Sequence, residues 1–109
     1  MTDIKKYNII ISDTAKRSIL SNYRYISDVL ENEPAGFEHT ANIYREIKKL
    51  EYMPRCHKIY SGENLNFECH VARIRQYLIF YKINEAKQTV FIVDVMHSHQ
   101  GKFQLSDTE

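Results

Sequence analysis

The spacing of apolar residues along the chain indicates two helices in its first half. A short β-branched run over residues 7–12, Tyr-Asn-Ile-Ile-Ile-Ser, is typical of a strand, and Ser12 and Asp13 then offer side-chain oxygens for a helix N-cap. Apolar residues next recur every three or four positions in two stripes, namely Ala15, Ile19, Tyr23, Ile26 and Leu30, then Phe37, Ala41, Tyr44, Ile47 and Leu50. Each stripe predicts an amphipathic helix, and Pro34 marks the start of the second, which indicates an antiparallel helical hairpin.

The second half of the chain follows the pattern of strands. Three runs are rich in β-branched and aromatic residues, and they are residues 55–60, 70–83 and 89–97. Residues 84–87, Asn-Glu-Ala-Lys, form a turn candidate between the last two runs. The last run is apolar on both faces except at Asp94, so we expect it in the centre of the sheet.

The predicted order of elements is β-α-α-β-β-β, which indicates an α+β fold with the helical hairpin packed on an antiparallel sheet. The chain has 109 residues, 43% of them hydrophobic, which suits a single domain over residues 1–109. No apolar run approaches the ~18 residues of a membrane span, so we expect a cytoplasmic protein that binds no membrane. The net charge of +1 excludes binding of nucleic acid through a broad positive field, but it permits a local basic cluster.

Each of the two cysteines is followed by a histidine, in Cys56-His57 and Cys69-His70, which raises the question of a zinc site. Adjacent side chains of a strand point to opposite faces of the sheet, so one strand cannot readily present both groups to one metal ion. Two cysteines are also too few for a disulfide scaffold. We therefore expect buried free thiols, no metal site and no cofactor.

Basic side chains mark one candidate site. If residues 70–83 form one strand, alternation places Arg73 and Arg75 on one face beside tyrosines, where guanidinium groups can bind phosphates and rings can stack on bases. The alternative is a solvated strand end whose arginine stems cover apolar surface. Arg55 and Lys58 add positive charge, either at the edge of a phosphate-binding groove or as ordinary soluble surface.

His97 closes the last predicted strand and is the candidate acid or base. Histidine is the side chain that most readily donates or accepts a proton near neutral pH. Strand alternation points Asp94 to the face opposite His97, so the sequence shows no activating partner beside it. A purely structural histidine is the alternative.

Three segments of the chain form a recognisable set. Residues 53–55 read Met-Pro-Arg, residues 72–83 read Ala-Arg-Ile-Arg-Gln-Tyr-Leu-Ile-Phe-Tyr-Lys-Ile, and residues 89–97 end in Val-Met-His. This set resembles the RelE/ParE superfamily of toxins, whose members commonly have a strand like Tyr-Leu-Ile-Phe-Tyr and a final strand ending like Val-Leu-His. The order strand-helix-helix-strands is similar too, and the resemblance spans residues 7–103.

The resemblance implies the toxin of a type II toxin–antitoxin pair, which inhibits growth, stabilises plasmids and is neutralised by a cognate antitoxin protein that wraps around it. RelE-like members cleave messenger RNA on the ribosome, whereas ParE-like members inhibit DNA gyrase. For an RNA-cleaving member, the resemblance implies His97 as acid or base, Arg73 and Arg75 as phosphate clamps, and Phe103 as a base-stacking ring. A non-toxic member that only binds a partner is a further alternative.

Two features favour the ParE-like branch. RNA-cleaving members often carry Arg directly after the first aromatic residue of the long strand, where this chain has Leu78. They also tend to be strongly basic, whereas this chain has a net charge of +1. The sequence therefore predicts action on DNA gyrase or replication first, with ribosome-dependent cleavage of messenger RNA as the alternative.

Overall fold

The computed structural model describes residues 6–57, 59–60 and 69–97, and this part of the chain forms a five-stranded sheet with two α-helices packed on one face. In chain order the elements are β1 (Asn8–Ile11), α1 (Asp13–Arg24), α2 (Glu33–Lys49), β2 (Ile59–Tyr60), β3 (Cys69–Ile74), β4 (Tyr77–Asn84) and β5 (Thr89–His97). A π-helical turn, Tyr25–Val29, follows α1, and a 3₁₀ turn, Pro54–Cys56, precedes β2. The predicted α+β fold with a helical hairpin on a sheet is confirmed.

The strands lie in the order β1-β5-β4-β3-β2. Neighbouring strands are antiparallel except at one edge, where β1 pairs with β5 in parallel and Asn8 lies opposite Thr89. The sheet is thus mixed, and not antiparallel throughout as the strand pattern predicts, because residue alternation carries no information about strand direction. A parallel pair needs a long connection, and here the helical hairpin and three strands lie between the two partners.

The long run over residues 70–83 contains a turn that the residue pattern does not predict. A two-residue turn, Arg75-Gln76, separates β3 from β4. Arg75 has a φ of 53°, in the left-handed region that tight hairpins use and that Gly, Asn or Asp usually occupies. The prediction of a single strand here is therefore wrong, and Arg73 and Arg75 do not share one strand face.

The strand predicted over residues 55–60 is shorter than expected. Pro54 begins the 3₁₀ turn, and in the described part of this segment β2 comprises Ile59 and Tyr60. Proline fixes its own φ near the helical value and has no N–H to donate to a sheet. The chain therefore forms a turn at Pro54, and the strand begins only after it. β5 has its predicted bounds and lies between β1 and β4, so it is an interior strand as its apolar faces indicate, although the central position of the sheet belongs to β4.

One buried cluster joins the helices to the sheet. The Ser12 hydroxyl oxygen accepts the backbone N–H of Ala15 at 2.9 Å and donates to the carbonyl of Val93 at 2.8 Å, so it both caps α1 and fixes it to β5. The cluster comprises Ala15, Ile19, Ile43, Ile47 and Leu50 on the helical side and Ala72, Ile79, Tyr81, Val90, Ile92 and Val95 on the sheet side, with Tyr7 at its edge. Burying one such large apolar side chain contributes about 1.5–3 kcal/mol, so this layer holds the hairpin on the sheet.

The predicted apolar stripe of α2 is only partly buried. Ile47 is buried as expected, but Phe37 is 70% exposed and Tyr44 is 43% exposed. α2 turns a neighbouring row toward the sheet instead, and this row contains His39, Ile43 and Ile47. Both rows have helical spacing, so periodicity alone cannot tell which of them faces the core.

Close contact between the helices at the tip of the hairpin depends on a glycine. A Cβ on Gly36 would lie 3.2 Å from the carbonyl oxygen of Tyr23 and 3.3 Å from the Cβ of Ser27. The start of α2 therefore lies directly against the end of α1 and its π-helical turn. The side-chain oxygen of Asn32 accepts the N–H of Ala35 at 3.2 Å and caps α2 immediately after the reversal.

Asp94 is a buried carboxylate at an irregularity in the β4–β5 pairing. Its Oδ1 accepts the hydroxyl of Ser18 on α1 and the backbone N–H of Val95, both at 2.7 Å. Burial raises the pKa of the Asp94 carboxyl, and the two hydrogen bonds and the positive charge of Arg17 offset only part of that effect. A carboxyl with a raised native pKa binds protons more tightly in the folded state, so its ionised form lowers stability at neutral pH.

We therefore expect Asp94→Asn to stabilise the fold at neutral pH. The asparagine oxygen can accept both hydrogen bonds without bringing a charge into the core. The midpoint of urea unfolding should rise, and the difference from the wild type should shrink as the pH falls toward the ordinary aspartate value of 3.8. Ser18→Ala is the control, since it removes one hydrogen bond and keeps the charge, and it should lower the midpoint. A lower midpoint for Asp94→Asn at neutral pH would contradict this account.

Candidate functional site

The end of β5 and the start of β4 meet at one end of the sheet. Tyr77 and His97 are directly opposite each other in the antiparallel register, and their rings contact edge to face with centroids 4.9 Å apart and planes at 83°. Tyr77 packs against the main core cluster, and cross-strand partners share a face, so both side chains lie on the helix side of the sheet. The pairing register thus gives His97 a fixed ring neighbour.

α2 brings a second imidazole to the same place. The ring of His39 lies 4.2 Å from that of Tyr77, centroid to centroid, with the planes tilted by 47°. The Tyr77 ring therefore contacts two imidazoles, and we refer to His39, Tyr77 and His97 as the ring cluster. Sequence reasoning missed His39, although its spacing of four residues from Ile43 and eight from Ile47 places it on the row that faces the sheet.

Two arginines lie at the same end of the sheet. Arg75 acts electrostatically on His39, whereas Arg73 lies opposite Leu78, whose side chain is on the face away from the helices, so Arg73 leaves the sheet on the face opposite the ring cluster. The turn Arg75-Gln76 immediately precedes Tyr77, and Oε1 of Gln76 lies 3.3 Å from Nε2 of His97. The Nε–H of Arg73 donates to the carbonyl oxygen of Arg75 at 3.0 Å, which draws the Arg73 guanidinium over the turn. The structure thus brings Arg73, Arg75 and His97 to one end of the sheet.

Two members of the ring cluster are held in their neutral forms. Burial lowers the pKa of His39, and the charges of Arg75 and His97 lower it further. Burial also raises the pKa of the Tyr77 phenol, and Tyr25 adds to this shift. At neutral pH the site therefore contains an uncharged imidazole and a phenol that keeps its proton. The Tyr77 phenol can donate a hydrogen bond, and the nearby Arg75 guanidinium attracts anions.

Arg55 lies at the opposite end of the sheet. Its guanidinium donates two hydrogen bonds to Oε2 of Glu85, at 3.0 and 2.8 Å, while the hydroxyl of Tyr7 donates to Oε1 of the same carboxylate at 2.6 Å. Glu85 follows the last residue of β4, whereas the ring cluster lies at its first residue, and a strand of 8 residues spans roughly 25 Å. The structure therefore does not bring Arg55 to the ring cluster.

The remaining sequence candidates have different outcomes. Lys58 and Phe103 lie outside the described residues. Cys69 belongs to a cluster on the outer face of the sheet, whereas His70 stacks on Tyr81 toward the helices, as strand alternation predicts. Burial raises the pKa of the Cys69 thiol to about 11, so this thiol is inert as a nucleophile. In the described ranges no three His, Cys, Asp or Glu side chains gather closely enough to hold a metal ion.

An apolar groove runs between α1 and α2 on the outer side of the hairpin. It has a volume of about 420 Å³, and the apolar side chains that line it include Leu20, Tyr23, Phe37, Ala41 and Tyr44. We call it the hairpin groove. Contiguous exposed apolar surface of this kind is typical of a protein interaction site. None of the helices that the structure describes is long and apolar enough to cross a membrane.

The sequence matches a known protein family over most of its length. Residues 9–101 match the profile of the family described as "ParE toxin of type II toxin-antitoxin system, parDE". The chain belongs to this family. It is therefore a toxin of the RelE/ParE superfamily of type II toxin–antitoxin systems, and the resemblance drawn from its motifs is confirmed. A comparison with curated proteins finds no match.

Three solved toxin structures have a similar fold. The RelBE2 toxin–antitoxin complex from Mycobacterium tuberculosis matches with a TM-score of 0.62 and 23% identity, over 87% of this chain and 97% of that chain. The archaeal RelE–RelB complex from Pyrococcus horikoshii has a TM-score of 0.58 and 15% identity, over 88% and 99%. A double arginine-to-alanine variant of toxin RelE from E. coli, in the free state, has a TM-score of 0.53 and 14% identity, over 88% and 87%. At these identities the likeness is one of fold.

We expect His39→Phe to weaken the loss of stability on acidification. A histidine whose native pKa is lowered contributes its full stability above the ordinary histidine value of 6.5 and loses it as the pH falls below that value. Phenylalanine keeps a ring against Tyr77 and does not titrate. In thermal unfolding measured on both sides of this pH, the wild type should lose more stability than the variant. Equal losses would show that His39 does not titrate as its burial indicates.

Proposed function

We propose that this toxin arrests growth by cleaving RNA at the ring cluster. The observation that carries the proposal is the meeting of His97, Tyr77 and Arg75 at one end of the sheet. An imidazole can donate or accept a proton, and a guanidinium can hold a phosphate oxygen. The sequence alone ranks action on gyrase first, whereas the placement of these side chains favours cleavage of RNA.

The chemistry needs no reactant beyond the RNA itself. A ribose 2′-hydroxyl gives its proton to a base and attacks the adjacent phosphorus in line, while the bond to the 5′-oxygen breaks and that oxygen receives a proton from an acid. His97 serves as the acid or the base. Arg75 and Arg73 stabilise the negative charge that develops on the phosphate oxygens. The products are a 2′,3′-cyclic phosphate and a 5′-hydroxyl.

The substrate class that we propose is messenger RNA during translation in the cytoplasm. A protein with a net charge of +1 attracts free RNA only weakly, because nonspecific affinity grows with the number of phosphates neutralised. A ribosome that already holds the messenger in place removes this requirement. Two guanidinium groups at the end of the sheet are then enough to engage the scissile phosphate.

The test is cleavage of a messenger RNA in a purified translation system. His97→Ala should lower the cleavage rate by about 100-fold or more, which is the usual contribution of an acid or base. Arg75→Gln should lower it roughly tenfold or more, because a charge-assisted hydrogen bond contributes about 1.5–3 kcal/mol. Arg45→Gln is the matched control, since Arg45 is an exposed arginine of α2 whose NH1 bonds Asn42, and it should cleave normally. Unchanged cleavage by a folded His97→Ala variant would refute the proposal.

Action on DNA gyrase is the second candidate. Two observations favour it. Position 78, where RNA-cleaving members often carry arginine, is occupied by Leu78, which lies opposite Arg73 in the β3–β4 ladder. The Arg55 guanidinium is bound by Glu85, far from the ring cluster. A gyrase inhibitor should block supercoiling by purified gyrase and stop replication before translation. The RNA-cleaving toxin should stop translation first and leave supercoiling unchanged.

For the antitoxin, we propose that an apolar segment of the protein occupies the hairpin groove. Phe37 and Leu20 present apolar surface that no neighbouring element covers in the described part of the chain, at 70% and 46% exposure. Lys16 lies at the edge of the same groove, which favours a segment that also carries an acidic residue. Two of the similar structures are toxin–antitoxin complexes, which supports a partner of this class.

Phe37→Asp should weaken binding of the antitoxin encoded beside this toxin. A central aromatic residue of an interface typically contributes about 2 kcal/mol or more, which corresponds to roughly thirtyfold in affinity. Val29→Asp is the matched control, because Val29 is 64% exposed on the same hairpin and does not line the groove. Toxicity of both variants should persist without antitoxin. Equal antitoxin affinity for both variants would place the binding site elsewhere.

A further inference from the structure

We propose that His39 is a positioning residue of the RNA-cleaving site, whose imidazole fixes the ring of Tyr77 and through it the orientation of His97. The inference rests on the proposed function for its catalytic consequence. The contact geometry itself does not depend on that function. His39 lies on α2 and contacts Tyr77, and Tyr77 in turn contacts His97, so His39 acts through another ring.

The first observation is the environment of the His39 ring. Its Nε2 is fully buried and has no hydrogen-bond partner among the described residues. Buried polar atoms are normally satisfied, so an imidazole at this position needs a reason other than filling volume. The neighbouring residues on the same row of α2 are Ile43 and Ile47, which fill the core with aliphatic side chains. A flat ring is what distinguishes His39 from them.

The second observation is that two imidazoles contact the Tyr77 ring. His39 packs on it at 4.2 Å and His97 meets it edge to face at 4.9 Å. Such tilted and edge-to-face contacts are the favourable geometries for aromatic pairs. If the His39 ring is removed, the half-buried Tyr77 ring gains space on its inner side and can turn away from His97.

The third observation is the position of His97 in the β4–β5 ladder. Among the described residues, the pair of Tyr77 and His97 is the last pair of that ladder, at one end of the two strands. The 3.3 Å contact between His97 and the exposed Gln76 side chain is a weak restraint at the long end of hydrogen-bond distances. The edge-to-face contact with Tyr77 helps to set the orientation of the imidazole, and proton transfer depends on that orientation.

The test compares His39→Ala with His39→Phe in the full-length toxin. His39→Ala should lower kcat for messenger cleavage roughly tenfold with little change in KM, because a misplaced catalytic group slows the reaction and leaves binding intact. His39→Phe restores a flat ring and should keep kcat within about twofold of the wild type. If His39→Ala fails to fold, His39→Leu replaces it, since leucine fills the volume without a flat ring. Normal kcat in the variant without a ring, or failure of phenylalanine to restore it, would overturn the proposal.

A second measurement separates this proposal from the proposed function. In the NMR spectrum, the ring protons of His97 experience the ring current of Tyr77, so their chemical shifts report the contact directly. His39→Ala should move these shifts toward those of a Tyr77→Leu variant, and His39→Phe should not. If the wild type cleaves no RNA but the chemical shifts move as stated, the proposed RNA cleavage is refuted and the positioning of the His97 ring by His39 is supported. If the chemical shifts do not move, the positioning role of His39 is refuted even when the wild type cleaves RNA.

Discussion

The antiparallel pairing of β4 with β5 is the interaction on which the rest of the structure depends. β5 also holds β1 on its other side, and the hydroxyl of Ser12 and the carboxylate of Asp94 attach α1 to it. The same pairing sets Tyr77 opposite His97. A slip of one residue would send every side chain of one strand to the opposite face, so both the core and the ring cluster require this one register.

Features with a local cause could be predicted from the sequence, and features set by distant contacts could not. The Ser12 cap and the bounds of β5 follow from neighbouring residues. The turn at Arg75 was missed because arginine rarely occupies the left-handed region, and only the strand pairing on either side makes it do so. Arg75 and His97 were predicted as site residues from their chemistry, but His39 joins them only through the packing of α2 on the sheet.

The net charge of +1 conceals an uneven arrangement of charges. At one end of the sheet, Arg55 is paired with Glu85, while at the other end two arginines, Arg73 and Arg75, lie at the turn between β3 and β4. A total near zero therefore describes neither end. A small anionic group that comes close to the turn meets two positive charges, whereas a long polyanion at a distance meets almost no net field.

The pairing of β1 with β5 also dictates when the protein can be completed during synthesis. Ser12 and Val93 are in hydrogen-bond contact although 81 positions separate them, so this edge of the sheet forms only when a long loop has closed. The ring that stands opposite Tyr77 belongs to the same late strand. A nascent chain that lacks β5 therefore has neither a finished core nor a finished ring cluster, and both can be completed only after synthesis has passed that strand.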